Sequence, residues 1–103
     1  MAATTAVAAR IDRALHSLLA EVEDLPRLAV EWSQLADGER ASIALDWDHL
    51  IGSYLTELDR VYRSRQMTAE QQARYQTLLC KLRDALPLLE RLDLFLPPVP
   101  LEI

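Results

Sequence analysis

The chain has 103 residues, half of them apolar, with a net charge of −5 and a pI near 4.9. That length is one domain, and the acidic balance excludes a general DNA or RNA binder, whose phosphate affinity rests on clustered Lys and Arg. Leu and Ala dominate over only two glycines; such helix-former usage, without alternating β-branched runs, speaks against a sheet, and no apolar run reaches the roughly 18 residues of a membrane-spanning helix.

The start, Met1 to Ala9, is small and mildly apolar. It lacks a basic n-region and a strong apolar h-region, so no signal peptide is expected. Residues 1–4 read as an arm, with Thr4 or Thr5 capping the first helix. Val7, Ile11, Leu15, Leu18, Val22 and Leu25 then recur at helical spacing. Glu23-Asp24 is an unfavourable helix C-terminus because that end of the dipole is negative. Asp24 suits an N-cap, with Pro26 in the first turn of a new helix. The apolar rhythm nevertheless runs on through Leu28 or Ala29 to Trp32 and Leu35, so a single helix kinked at Pro26 fits equally well. Asp37-Gly38 is expected to end this limb, Gly38 supplying a left-handed C-cap.

The organising element is a helical hairpin. Its first arm, from about Glu39 to Arg63, carries Ile43, Trp47, Leu50, Ile51, Tyr54, Leu58 and Val61 on one face, widened by Leu55 and Tyr62. The short turn Ser64-Arg65-Gln66-Met67 forces antiparallel neighbours. The second arm opens with Thr68 and Gln71, a capping box. Tyr75, Leu78, Leu79, Leu82, Ala85, Leu86, Leu89 and Leu92 make it a core-facing bundle helix. Pro87 predicts a kink at 83–87 or a fresh short helix to about Leu94.

The tail, Phe95-Leu96-Pro97-Pro98-Val99-Pro100-Leu101-Glu102-Ile103, holds three prolines in four residues. It is expected to be extended over 95–103. Its apolar content favours packing onto the bundle itself, or docking on a partner groove. The expected fold is an all-α antiparallel helical bundle, residues 1–103, with three long limbs and four to five helices. At this size only about two-thirds of the unfolded surface is buried, so a second chain covering part of the apolar surface would add stability.

Motifs for chemistry are sparse. Asp46, His49 and Ser53 share one side of the first arm, but one helix surface without a glycine turn offers no oxyanion hole. His16 and His49 are the only histidines, and no Glu-x-x-His pair of the di-iron kind occurs. No Gly-rich phosphate loop exists. Accordingly no catalytic, metal or cofactor residue is assigned and no enzyme activity is expected; a small helical-bundle enzyme ranks last among the readings and would need a convergent pocket holding His49 or several of the arginines. Arg60, Arg63, Arg65 and Arg74 gather at the hairpin tip, where they offset a helix C-terminus. The stretch Arg10-Ile11-Asp12-Arg13 with Leu18-Leu19 resembles the opening helix of the small all-helical chorismate mutases. That resemblance implies a helical dimer holding a dicarboxylate between several Arg and Lys side chains. This chain lacks the lysine expected mid-chain and carries Glu21 and Glu23 where a basic residue should stand, so the activity is not carried over.

The functional signal lies in apolar residues out of phase with their helices, Leu45, Cys80 and Leu88, together with Phe95, Leu96, Pro97, Pro98, Val99, Pro100 and Leu101. These are the expected partner-binding residues of a non-catalytic protein–protein interaction module, a homodimer or a small subunit of a larger complex. The alternative is an acidic inhibitor, antitoxin-like, neutralising a basic partner through Glu21, Glu23, Asp24, Glu31, Asp37, Glu39, Asp46 and Asp48. Single Cys80 precludes an internal disulfide and favours a reducing compartment. With the Ala/Leu/Arg bias, that points to a cytoplasmic, bacterial protein, with no membrane partner.

Overall fold

The computed structural model describes residues 2–102, with side chains from Ala6 to Glu102. All regular structure among the described residues is helical: α1 (Ala2–Glu31), a 3₁₀ turn (Trp32–Gln34), α2 (Asp37–His49), a π-helical turn (Leu50–Leu55), α3 (Thr56–Arg63) and α4 (Ala69–Arg91). The second limb, α2 to α3, is unbroken helix. At 1.5 Å per residue the 30 residues of α1 span about 45 Å, close to the 49 Å long axis of the molecule.

Polar cross-links and one short turn fix the directions. Tyr75 Oη donates to Asp59 over 3.0 Å and Gln76 to Tyr62 Oη over 3.1 Å, which ties α4 to α3, and the short turn between Arg63 and Ala69 sets the two antiparallel. Gln71 donates to Asp12, Arg74 lies 3.7 Å from Asp12, and Lys81 lies 3.5 Å from Glu23, so α1 and α4 are parallel. Both therefore oppose the second limb.

The core follows the apolar stripes. Ile11, Leu15, Leu18, Val22 and Leu25 of α1 meet Tyr75, Leu78, Leu79, Leu82 and Leu89 of α4, all buried. Thr68 and Gln71 form the expected capping box, Gln71 N–H donating to Thr68 Oγ1 over 3.1 Å and Thr68 N–H to Gln71 Oε1 over 3.0 Å. The hairpin turn leaves α3 through Arg65 at φ 61°. Gln66 N–H bonds the Val61 carbonyl and Arg65 N–H that of Tyr62, a Schellman arrangement. Asp93 at φ 57° closes α4 in the same way, through Leu94 N–H to the Leu89 carbonyl.

Several expectations are corrected. Helix α1 already includes residues 2–4, expected to be an arm, because Ala-rich sequence needs no cap to be helical; Met1 lies outside the described residues. Of the two readings at Pro26, the single helix holds and the break does not: Pro26 neither ends α1 nor starts a helix. An internal proline costs about 3 kcal/mol, but continuing the helix buries Leu25 and packs Leu28 and Ala29 on the core, which at about 1.5–3 kcal/mol per large side chain outweighs it. Asp24 caps nothing; it holds Arg27 through two 2.8 Å hydrogen bonds. Gly38 is no left-handed cap, since no glycine has positive φ among the described residues. It lies in the first turn of α2, where the Glu39 carboxylate accepts from Ala36 N–H over 3.1 Å. Arg40 instead secures the 3₁₀ turn, donating to the Trp32 and Ser33 carbonyls. Pro87 likewise sits inside an unbroken α4, with no fresh helix after it.

The π-turn has no counterpart among the expected elements. A π-turn closes i→i+5 and so adds a residue to the turn, rotating the downstream side chains backwards about the helix axis. Leu55, at the edge of the stripe in an ideal α-helix, is thereby carried into the core, and Tyr54, near the centre of that stripe, is carried out to 44% exposure.

After Arg91 the described residues form no further regular helix. Leu92 and Leu94 are buried, and Val99 and Leu101 pack against the core. Trp47 Nε1 donates to the Phe95 carbonyl over 2.8 Å, tying the tail to α2.

Candidate functional site

The residues expected to bind a partner lie on three separate parts of the chain. Leu45 on α2 is 70% exposed. Cys80 on α4 is a half-buried free thiol. Leu88 is half-buried against the core. In the tail, Phe95, Leu96, Pro98 and Pro100 are exposed, whereas Pro97, Val99 and Leu101 are half-buried.

A more continuous surface runs along the seam between α1 and the second limb, where two grooves follow one another. The larger, about 610 Å³, is lined by Arg10, Ile11, Arg13, Ala14, Ser17, Ser53, Tyr54, Glu57 and Leu58. It opens because small residues (Ala14, Ser17, Ser53) face each other where the π-turn pushes Tyr54 outward. The smaller, about 350 Å³, has an apolar floor of Leu25, Leu28, Ile43, Trp47, Leu50 and Leu94 beneath Glu21, Asp24 and Asp46. The seam is thus basic and aromatic at one end and acidic at the other.

Charge pairing within the seam is partial. Glu57 accepts from Arg60 at 2.6 Å and lies 3.7 Å from Arg10. The Arg60 hydrogen bonds, with a smaller contribution from Arg10, hold its carboxyl below the usual glutamate range. The Asp24 carboxyl is held down by its hydrogen bonds to Arg27. Arg13, Glu21 and Asp46 form no ion pair among the described residues, although all three line the grooves.

The candidate chemistry is dispersed. Asp46, His49 and Ser53 are all exposed and none hydrogen-bonds another. Of the tip arginines, Arg60, Arg63 and Arg74 are engaged with Glu57, Asp59 and Asp12. The Tyr75 hydroxyl is pushed strongly upward in pKa, first by burial and then by the Asp59 charge; its role is to close the core polar contact with Asp59. No group of three or more His, Cys, Asp or Glu is placed to hold a metal ion, and no helix is long and apolar enough to cross a membrane, among the described residues.

Sequence reasoning missed this seam because the π-turn alters the phase of the second limb. The small residues and the out-turned Tyr54 acquire meaning only once that phase is known. Comparison with protein-family models, with curated proteins and with solved structures found no match.

Proposed function

We propose that the protein is a non-catalytic interaction module whose binding surface is the seam between α1 and the second limb. The observation that carries this reading is Tyr54, a large aromatic turned out of the core at the edge of the larger groove. Aromatic residues in such positions are the usual anchors of protein interfaces. The dispersal of titratable side chains supports binding over catalysis, since catalytic groups must converge on reacting atoms.

The test is a photo-crosslinking amino acid placed at Tyr54, with Arg83 on the exposed side of α4 as the control position. In the cells the protein comes from, position 54 is expected to give a discrete protein adduct and position 83 none. No adduct at 54, or equal adducts at both positions, overturns the reading. A second reading, an acidic inhibitor of a basic partner, is favoured by the carboxylates Glu21, Asp24 and Asp46 around the smaller groove. It predicts an adduct with a basic protein from a crosslinker at Asp46, weakened strongly by salt.

A further inference from the structure

We infer that the occupant of this seam is a second copy of the chain, bound by a two-fold axis that crosses α1 at Ser17. The inference rests on the interaction-module reading and names its partner.

The charge register carries it. Arg13 and Glu21 stand four residues either side of Ser17, and Arg10 and Asp24 seven either side. Those spacings keep all five on one helix face, and all line the two grooves of the seam. A closed dimer is isologous, each surface patch meeting its own copy. Two in-plane axes would bring this face against itself. An axis parallel to the helices sets the arginines of one copy over the arginines of the other. An axis perpendicular to them, at Ser17, lays α1 antiparallel on α1 of the second copy. Arg13 then meets Glu21 of the second copy and Arg10 meets Asp24, twice over.

Shape agrees with charge. Ala14 and Ser17 at the centre are small, so the two α1 helices approach at ordinary packing distance. The same rotation carries Tyr54 of one copy over the smaller groove of the other. There the ring gains the apolar floor of Leu25, Leu28, Ile43 and Leu50, and its hydroxyl faces the Asp46 side. Arg13 and Glu21 are unengaged among the described residues, so they pair across the axis without breaking an existing contact.

The experiment is absolute mass by light scattering, up to about 0.1 mM, where a dimer of micromolar Kd is largely formed. Two variants are compared, Arg10→Glu with Arg13→Glu, and Glu21→Arg with Asp24→Arg. The wild-type chain is expected at twice its 11.7 kDa mass, each variant alone at the single mass, and their equimolar mixture again at twice. Arg83→Glu, off the seam, leaves the dimer intact. Thermal melts establish that each variant is folded. Should a double variant not fold, Ser17→Arg, which sets two like charges face to face on the axis, takes its place and is expected to be monomeric. A wild-type monomer overturns the inference. So does a mixture that stays monomeric. A dimer indifferent to every reversal overturns this interface but leaves the module reading standing, because the chain then associates through another face; a monomer that also gives no adduct at Tyr54 removes both.

Discussion

Helix α1 has two flanks, and they differ. Towards α4 it is closed, with Leu15, Leu18 and Val22 buried against Leu78, Leu79 and Leu82 and the rim tied by Gln71, Arg74 and Lys81. Towards the second limb it is open, with Ala14 and Ser17 facing Ser53, and with Arg13 and Glu21 unpaired among the described residues. One helix thus divides its work by side-chain volume. The flank with leucines packs the core, and the flank with small and charged residues is the one the proposed interface would use.

Neighbouring substitutions separate the two flanks most sharply. Leu18→Ala removes a fully buried side chain and is expected to cost about 2–5 kcal/mol of folding stability in chemical denaturation. Ser17→Leu, one residue away on the open flank, is expected to change folding by no more than about 0.5 kcal/mol while abolishing association, because it closes the approach of the two α1 helices. Equal effects of the two on folding would break the contrast.

Gln71 tests the rim of the closed flank. Its amide donates to the Ala8 carbonyl and to Asp12 and accepts from Thr68 N–H. Gln71→Ala removes these part-buried hydrogen bonds, whose partners Asp12 and Thr68 stay open to water, and is expected to cost about 1 kcal/mol, seen as a lowered denaturant midpoint with unchanged slope.

Tyr75, where α4 meets α3, adds a pH signature. Its pKa is raised in the fold above the ordinary 10.0 by burial and by Asp59. A raised folded pKa contributes stability that is present in full below pH 10 and is lost as pH climbs from there towards the folded value. The wild-type chain is therefore expected to weaken in alkali above pH 10. Tyr75→Phe should remove that alkaline limb at a cost near 1 kcal/mol at neutral pH, the lost hydrogen bond to Asp59.

The smallest effect belongs to the open flank. The Glu57 carboxyl is held below its ordinary 4.5 by Arg60 and Arg10. A depressed folded pKa contributes stability that is present above 4.5 and lost as pH falls through the lowered folded value. The Glu57 side chain is 43% exposed, so solvent screens its ion pairs and Glu57→Gln is expected to change acid unfolding by no more than about 0.5 kcal/mol. A larger shift would mean that the open flank also holds the monomer together.

The parts of this fold that are legible in the sequence are those decided by local chemistry. Thr68 with Gln71 announces a capping box in three residues' span, and the stripes of α1 and α4 name their own core. The illegible parts are decided at a distance. Whether Pro26 breaks α1 depends on how much apolar surface lies beyond it, and Leu25, Leu28 and Ala29 tip the balance. With the π-turn, Leu55 is buried and its neighbour Tyr54 is exposed, a choice settled by the facing helices and invisible within the second limb. The spacing of Arg10, Arg13, Glu21 and Asp24 about Ser17 is plain in the chain, but it becomes a surface only because one seam holds all five.

The most direct test of the open flank is amide hydrogen exchange on the wild-type chain across a dilution series. Segments 10–24 and 46–57 are expected to lose protection on dilution, while 75–89, on the closed flank, keeps its own. Protection in 10–24 and 46–57 that is independent of concentration, or a dilution effect confined to α4 or to the tail, would contradict the assignment of the binding surface to this seam.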